Sequence, residues 1–422
     1  MSHGGRGDRA GAGLLVLVSL AVIALTTLRA NPSQLDRIAE TAWTCLVCGD
    51  AGTTDVLLNL LLFAPLGVGL RWRGWSGGRA VLAICLLTLA IEGTQAFALA
   101  GRDATISDVL ANSLGGAIGW WGWPRLVGWA DPAVAEARRG AAVIAAVSTL
   151  AWLGTGWGLH PDGSPERPWV GQPLHQWRGH DPFPGTLQRV ALNGIDVPND
   201  PLSRTPDLND SLVLQIALTR HDTTPPGRPV SLLRIVDARG RPQLAVTQRG
   251  EALLATVRAR ASAWRVRTPT WRVDNAMVMP GHVPWRLQWA WHADRIELQA
   301  GPADGPVTRR RTIPISIGLG WAFVHPFAAP IGSPLADAWT AIWLALWGLP
   351  LGWCLGWLRR TETLLGVALM LAAYLGASAA TGLPIQGWEA GMLGASMAAG
   401  IAAGNARSVK RAARREEHGS AV

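Results

Sequence analysis

Seven polar residues lie in or beside three apolar segments of the chain, and side chains of these types can bind a ligand or move a proton. The segments contain DVLLN, AIEGTQAF and GRDATISDVLAN, and the residues are Asp55, Asn59, Glu92, Gln95, Arg102, Asp108 and Asn112. In each DVLxN segment the Asp and the Asn are four residues apart, a spacing that puts both on one face of a helix. The carboxylates could act as acid or base, and the arginine could hold a phosphate.

The apolar surroundings of these residues favour a functional role, although capping or helix association could explain some of them. A carboxylate near the centre of a bilayer costs about 2.5–3.5 kcal/mol on insertion scales, so acids in such segments are usually paired or functional. Asp55 and Asp108 could instead cap the N-termini of their helices. Asn59 and Asn112 could serve only to join helices by hydrogen bonds.

The composition is typical of a membrane protein. Of 422 residues, 49% are hydrophobic and 16% are charged, and the mean hydropathy is +0.19. The net charge is +9, but Lys410 is the only lysine and the arginines are spread along the chain between apolar runs. We therefore expect a lipid bilayer as the surroundings and no nucleic-acid partner.

Eight apolar runs are long enough to cross a bilayer at about 1.5 Å per residue. They cover residues 12–29, 55–71, 80–99, 107–123, 139–159, 335–358, 362–382 and 384–405. Connections rich in arginine alternate with connections poor in it, so the positive-inside rule places both termini in the cytoplasm. A signal peptide is the alternative for the first run, but no small-x-small cleavage site follows it.

This orientation predicts that the seven polar residues converge. The second and fourth runs cross from outside to inside and the third returns, which brings the set into the outer half of the membrane. Gly115, Gly116 and Gly119 give the fourth run a small-residue face for close helix contact. Pro65 removes a backbone hydrogen bond from the second run and favours a kink. The sequence thus predicts a polar cleft formed by three helices.

A long segment between the fifth and sixth runs has a different character. From about residue 160 to 330 it contains short runs of alternating polarity, such as SLVLQIALTR and DRIELQAG, bounded by Gly, Pro, Asp and Asn. This pattern predicts an antiparallel β-sandwich, and the topology places it outside the cytoplasm. Over about Asp210–Ile315 the pattern is similar to concanavalin-like and laminin-G-like jelly rolls, a resemblance that implies glycan binding.

The three polar segments together resemble the VanZ-like family of bacterial membrane proteins. DVLLNLLLFAPLGVGL, AIEGTQAF and GRDATISDVLANSLGGAIG match, in order, the family's three helix patterns, and they span about Asp55–Gly119. The resemblance implies a bacterial cytoplasmic-membrane protein and marks the same seven polar positions. The family's namesake is associated with resistance to teicoplanin-type glycopeptides. The β-rich insert and the three later helices have no counterpart in the minimal family architecture.

The predicted fold is therefore a polytopic α-helical membrane protein of about eight transmembrane helices, with an extracytoplasmic antiparallel β-sandwich, jelly-roll-like, between helices 5 and 6. The predicted parts are a cytoplasmic N-terminus with helix 1 (1–35), a VanZ-like core of helices 2–4 (36–130), helix 5 (131–160), the sandwich (161–330), helices 6–8 (331–406) and a basic cytoplasmic tail (407–422).

Other chemistry has less support in the sequence. Cys45 and Cys48 have the C-x-x-C spacing and could form a disulfide, whereas a zinc site would need two more ligands that their loop does not supply. An acidic loop could bind Ca²⁺ or be a solvated turn; its acids are Asp196, Asp200, Asp207 and Asp210. We favour the turn, and we expect no metal and no cofactor.

These observations leave three functional hypotheses. The first is a non-enzymatic envelope protein that binds a lipid-linked or surface glycan, with a link to glycopeptide tolerance. The second is an intramembrane enzyme acting on a lipid-linked envelope precursor, with Glu92 or Asp108 as acid or base and Arg102 on a phosphate. The third is a small transporter, although the polar residues do not continue into the cytoplasmic half.

The alternation of basic and neutral loops predicts the topology directly. A reporter that is active only outside the cytoplasm should be active when fused after Gln172 and inactive when fused after Arg360. The opposite pattern would reverse the orientation and remove the reason for the polar residues to converge.

Overall fold

The computed structural model describes residues 6–28, 47, 49, 51–98, 105–163, 166–174, 180–198, 200–202, 204, 211–222, 224–325 and 329–419. The chain folds as two compact units, Met1–Pro132 and Ala133–Val422. The first unit is helical. The second contains helices and all of the described β-strands.

Unit 1 consists of the helices α1 (Arg6–Thr27), α2 (Gly52–Trp72), α3 (Gly77–Ala98) and α4 (Ile106–Trp129). Helices α2 and α4 pack most extensively, α3 lies along α4, and α1 lies along α2. A small core forms between them, with Phe63, Leu66 and Ile84 buried. Glycine rather than a continuous apolar stripe allows the closest of these contacts.

Unit 2 contains the helices α5 (Val134–Gly158), α6 (Trp321–Val324), α7 (Ala336–Leu355), α8 (Arg360–Thr381) and α9 (Gly387–Gly419). Helix α7 packs along α9, and α5 packs along both α7 and α8. Trp152 of α5 meets Tyr374 of α8 edge to face, with ring centroids 4.6 Å apart.

Six helices among the described residues are long and apolar enough to cross a bilayer: α1 from Ala10 to Thr27, and the whole of α2, α3, α5, α7 and α8. Large apolar side chains on them remain exposed, including Leu61, Leu82 and Leu369, as expected for helices that face lipid. Helices α4 and α9 have comparable length but do not reach the same hydropathy. The prediction of eight spans is therefore supported for six helices.

The β-region of unit 2 lies between α5 and α6 in chain order and forms two antiparallel sheets. Its strands are β1 (Val170–Pro173), β2 (Gly185–Leu192), β3 (Ile195–Asp196), β4 (Leu212–Arg220), β5 (Val230–Val236), β6 (Pro242–Arg249), β7 (Ala252–Val257), β8 (Thr270–Val273), β9 (Pro284–Trp291), β10 (Arg295–Pro302) and β11 (Arg309–Pro314). One sheet has the order β1-β5-β6-β7-β8 and the other β11-β10-β9-β4-β2-β3. The chain crosses between the sheets after β1, β4 and β8. A two-sheet antiparallel region was predicted, and it is present.

Tryptophans join the two sheets. Trp271 of β8 and Trp291 of β9, both fully buried, meet edge to face with ring centroids 5.2 Å apart. Leucines, isoleucines and valines from alternating strand positions fill the space around them, as in other sandwiches. The same buried cluster continues from the sheets into α5, α7 and α9.

One histidine at the end of the β-region makes unit 2 sensitive to acid. His325, 4% exposed, lies against Trp321 and Trp339. Burial of the imidazole, together with the positive charge of Arg267, lowers the pKa of His325 to about 4. The fold therefore holds the neutral ring.

Acidification should destabilise unit 2 through this group. The unfolded chain takes up the proton first, so stability that is present above about pH 6.5 should be lost progressively as the pH falls to about 4, by on the order of 1–3 kcal/mol. Tryptophan fluorescence during thermal unfolding of the full chain in detergent measures this. His325→Gln should unfold with a weaker pH dependence over that range, and an unchanged slope would contradict the assignment.

Candidate functional site

The approach of α2 to α4 is the local feature on which the candidate site rests. A side chain at Gly67 would overlap the backbone carbonyl of Gly116, and one at Gly119 would overlap the carbonyl of Ala64. Gly115 faces Leu60 in the same way. Small residues thus let the two backbones touch, the arrangement that favours helix association in membranes. Pro65 lies within α2, between these contacts.

Asn59 and Asp108 meet across this contact. The Asn59 amide Nδ2 donates to Asp108 Oδ1 at 2.5 Å, and the Thr105 hydroxyl donates to Asp108 Oδ2 at 2.9 Å. Both residues are half-buried. The Asp of one predicted pair and the Asn of the other therefore form a bond between two helices.

The N-terminus of α4 adds a third helix to the arrangement. Thr105 is the N-cap, and its hydroxyl accepts the backbone N–H of Asp108 at 3.2 Å. In a capping box, the acid three residues on would accept the N–H of the cap residue in return. Here Glu92 of α3, 5% exposed, accepts it instead, with 3.1 Å between Thr105 N and Glu92 Oε2. Asp108 is thereby directed towards Asn59.

Two buried polar groups lie one helical turn deeper than Asp108: Asn112 on α4 and Thr88 on α3. Asn112 is 2% exposed, and neither its Oδ1 nor the hydroxyl of the fully buried Thr88 has a hydrogen-bond partner among the described residues. Ile84 lies against Gly116, so one turn from that contact Thr88 of α3 and Asn112 of α4 occupy the same level. Buried polar atoms are normally paired. Two unpaired ones at one level mark a place where these helices can bind a further polar group.

We name Asn59, Thr88, Glu92, Thr105, Asp108 and Asn112 the Asp108 site. It joins three helices of unit 1, and it includes four of the seven residues predicted from the sequence. Thr88 and Thr105 were not predicted, because threonines in apolar helices and at helix starts are common and their spacing carries no signal.

The other predicted residues lie elsewhere or outside the described part of the chain. Asp55 is exposed in the first turn of α2, one turn before Asn59. Gln95 of α3 is buried and donates to the backbone carbonyl of Thr27 at 2.8 Å, so it ties α3 to α1. Arg102, Cys45 and Cys48 lie outside the described residues.

Unit 2 contains a second buried carboxylate that the sequence analysis did not single out. Glu389, in the first turn of α9, is fully buried. Its Oε1 accepts the Ser316 hydroxyl at 2.5 Å, and its Oε2 accepts the Tyr374 hydroxyl and the backbone N–H of Gln386, both at 3.3 Å. We name these four residues the Glu389 site. An acid within the last apolar run was the signal that could have identified it.

Metal binding gains no support from the described residues, where no group of three or more His, Cys, Asp or Glu side chains could hold an ion. Asp196 of the acidic loop is exposed and pairs with Arg189 at 2.7 Å. Asp200 is also exposed, and Asp207 and Asp210 lie outside the described residues.

A groove of about 540 Å³ in the β-region is lined by residues that include Glu251, Asp274 and the arginines of β11. Strand β11 is an edge strand. Arginines on such a strand keep it from pairing with other chains, so the charge alone does not indicate a ligand. Arg309 donates to the backbone carbonyls of Asn275 and Val278.

The close contact of α2 and α4 predicts a position-specific effect of added side chains. Gly119→Val should destabilise the protein by about 3 kcal/mol or more, because its side chain would meet the backbone of α2. Gly122→Val on the same helix is the matched control, since a side chain there meets nothing within 4 Å. The amount of protein in the membrane and its melting temperature in detergent measure both. Equal behaviour of the two variants would contradict the packing.

Comparison with known proteins supports the helical part of this description. Residues 13–127 match the family model described as VanZ/LLP1. No curated protein and no solved structure matches the chain significantly. The match covers α1 to α4 almost completely, including the Asp108 site. With the apolar helices it identifies a membrane protein, and residues 13–127 are a VanZ-like region, as the three polar segments of the sequence had indicated.

Proposed function

We propose that the VanZ-like helices bind the hydroxyl-rich headgroup of a lipid-linked envelope glycan at the Asp108 site. The observation that carries the proposal is Asn112 Oδ1, a buried acceptor with no partner among the described residues, one turn below the Asn59–Asp108 bond. Buried amides and carboxylates that hydrogen-bond a ligand discriminate strongly against analogues without the matching group.

The chemistry of the site favours a neutral, hydroxyl-bearing group. Asn112 Oδ1 accepts hydrogen bonds, and the Thr88 hydroxyl both donates and accepts them, so these two groups match a ligand hydroxyl, which does both. The helices around the site are apolar on their outer faces, so a ligand with acyl chains can reach it from the bilayer. A lipid headgroup satisfies both conditions.

The expected surroundings follow from the same proposal. We place the protein in the bacterial cytoplasmic membrane with both termini in the cytoplasm, which puts the start of α4 and the β-region on the outer side. The β-region would then be exposed to surface or lipid-linked glycans. Glycopeptide tolerance, the association of the family's namesake, would follow if the ligand is a cell-wall precursor.

The other two hypotheses stay predictions. The enzymatic hypothesis needs a cation on a phosphate, and Arg102, the residue assigned to it, lies outside the described residues. Among described residues, Glu92 and Asp108 accept bonds from a helix cap and an amide, an arrangement that suits binding. The transporter hypothesis needs a polar path into the other half of the membrane.

Lipids that co-purify with the protein test the proposal. Glu92→Gln and Asp108→Asn each replace one acceptor by a donor at nearly constant volume, so each should lower the amount of one retained lipid class on the order of tenfold relative to wild type. Mass spectrometry of extracted lipids gives the amounts, normalised to protein.

Glu362→Gln serves as the control for this experiment. That acid is in the first turn of α8, in unit 2, and pairs with Arg138 at 2.6 Å, so it is not part of the Asp108 site. It should retain the wild-type lipid content. Identical lipid profiles in wild type, both site variants and the control, with normal protein levels, would rule the proposal out.

A further inference from the structure

Helix α7 repeats part of the sequence of α2. Residues 65–72 of α2 read PLGVGLRW, and residues 350–357, which begin in α7 and end two residues after it, read PLGWCLGW, so both contain P-L-G-x-x-L-x-W. Both helices place the proline in the helix interior, where it removes a hydrogen bond. Proline in a helix interior is costly, so its recurrence in the same motif points to a shared structural role.

The contact made by this motif is also repeated. The glycine that follows the proline by two residues is Gly67 in α2, and a side chain there would overlap the carbonyl of Gly116 in α4. Its equivalent in α7 is Gly352, where a side chain would overlap the carbonyl of Met397 in α9. Gly116 and Met397 lie at the same distance from the starts of their helices.

A second contact has the same register. The carbonyl of Ala64, just before the proline of α2, lies against Gly119 of α4, and the carbonyl of Leu349, just before the proline of α7, lies against Gly400 of α9. Gly119 and Gly400 again occupy the same position from the helix start. Two contacts in one register, together with the motif, make α7/α9 a repeat of the α2/α4 pair.

The carboxylates coincide in this alignment. Asp108 is the third residue of α4 and Glu389 the third residue of α9. The residue before each helix, Thr105 or Gln386, has its backbone N–H accepted by a buried glutamate, Glu92 of α3 in unit 1 and Glu389 itself in unit 2. The third helices differ, since α3 packs on α4 whereas α8 packs on α5.

In unit 2 the chain fills the repeated site itself. Ser316, which follows the last strand, donates to Glu389, and Gly318 lies so close that a side chain there would come within 2.7 Å of Glu389 Oε1. Further along the same segment, the Trp321 indole N–H donates to the Thr340 hydroxyl of α7 at 2.9 Å. The segment 316–321 therefore occupies the side of Glu389 that would otherwise meet a ligand.

Two amides of the α2/α4 pair have no counterpart in α7/α9. Asn59 of α2 is replaced by Leu344 of α7, and Asn112 of α4 by Leu393 of α9; both leucines are fully buried. The filled copy keeps the proline, two of the glycine contacts and a carboxylate, which hold the helices together, and loses the amides. A site filled by the chain itself does not need residues that contact a ligand, so the loss of the amides indicates that they have this role in unit 1.

We infer that α7/α9 is a closed second copy of the α2/α4 pair, and that Asn112, which the closed copy replaces by leucine, is the residue that selects a hydroxyl-bearing headgroup at the Asp108 site. This inference rests on the proposed function and narrows it to one selecting residue. The shared ligand chemistry is a vicinal or terminal hydroxyl, as in a glycerol or sugar headgroup.

Native mass spectrometry of the full chain in detergent tests the selection. The probes are phosphatidylglycerol, a glucosyl diacylglycerol, phosphatidylethanolamine and free glucose. Wild type should prefer the two hydroxyl-bearing lipids over phosphatidylethanolamine. Asn112→Leu should weaken their binding on the order of tenfold, the effect of one buried hydrogen bond, and so reduce the preference over phosphatidylethanolamine.

Two further variants keep this test decisive. Asn112→Ala removes the amide without adding volume, in case leucine does not fit in unit 1, which has Phe63 at the position where the closed copy has the smaller Gly348. Leu393→Asn is the matched control: it should lower the melting temperature, because it buries an amide in a filled site, and leave the lipid preference unchanged.

The outcomes separate the two claims. If wild type binds none of the lipids, the proposed function fails; if wild type discriminates and Asn112→Ala discriminates equally, the inference alone fails. Free glucose binding as tightly as the glycolipid would support selection by Asn112 but make a soluble sugar the ligand.

Gly400→Val tests the repeat: it should destabilise the protein as Gly119→Val does. Gly394→Val should not, because a Cβ atom at that position meets nothing within 4 Å. Equal stability of these two would overturn the repeat.

Discussion

The backbone contact between α2 and α4 is the constraint on which the polar site depends. Asparagine and aspartate have short side chains, so Asn59 can reach Asp108 only because Gly67 and Gly119 let the two helices touch. A wider spacing would leave an amide and a carboxylate apart in an apolar setting, where unpaired polar groups are costly. Packing by glycine and polar pairing are therefore one structural feature.

The start of α4 presents a second constraint, because the first N–H groups of a helix lack partners within it. Unit 1 meets this need with Glu92 from a neighbouring helix, and unit 2 meets it with Glu389 of the same helix. The first solution keeps Asp108 turned towards α2. The second turns the acid of α9 back on its own cap and towards Ser316. The same need for a hydrogen-bond acceptor at the helix start is thus met in two ways. In unit 1 the carboxylate of Asp108 faces another helix, and in unit 2 the carboxylate of Glu389 is enclosed.

Much of the coarse architecture could be read from the sequence, since apolar runs and period-2 alternation are direct consequences of burial. The three polar segments also located the VanZ-like region, because Asp55, Glu92 and Asp108 stand out in apolar surroundings. The pairing was not readable: residues one helical turn apart, Asp55 and Asn59, were grouped, whereas the bond described joins Asn59 to Asp108 across helices. The rotation of each helix about its axis and the position of Thr105 determine this pairing. Neither produces a periodic pattern in the sequence.

The repeat changes how the insert is understood. Its last strand leads through Ser316 into Trp321, and both side chains bond to helices, Ser316 to Glu389 of α9 and Trp321 to Thr340 of α7. The buried cluster of the sheets continues into those helices, so the sandwich packs directly on the membrane helices.

The second helix pair, α7/α9, provides the surface on which the insert packs, and its buried Glu389 accepts the hydrogen bond of the Ser316 hydroxyl. Unit 1 keeps the two asparagines whose positions are occupied by leucine in this second pair. Under the proposed function, holding the β-region and binding a ligand are divided between two helix pairs of the same design.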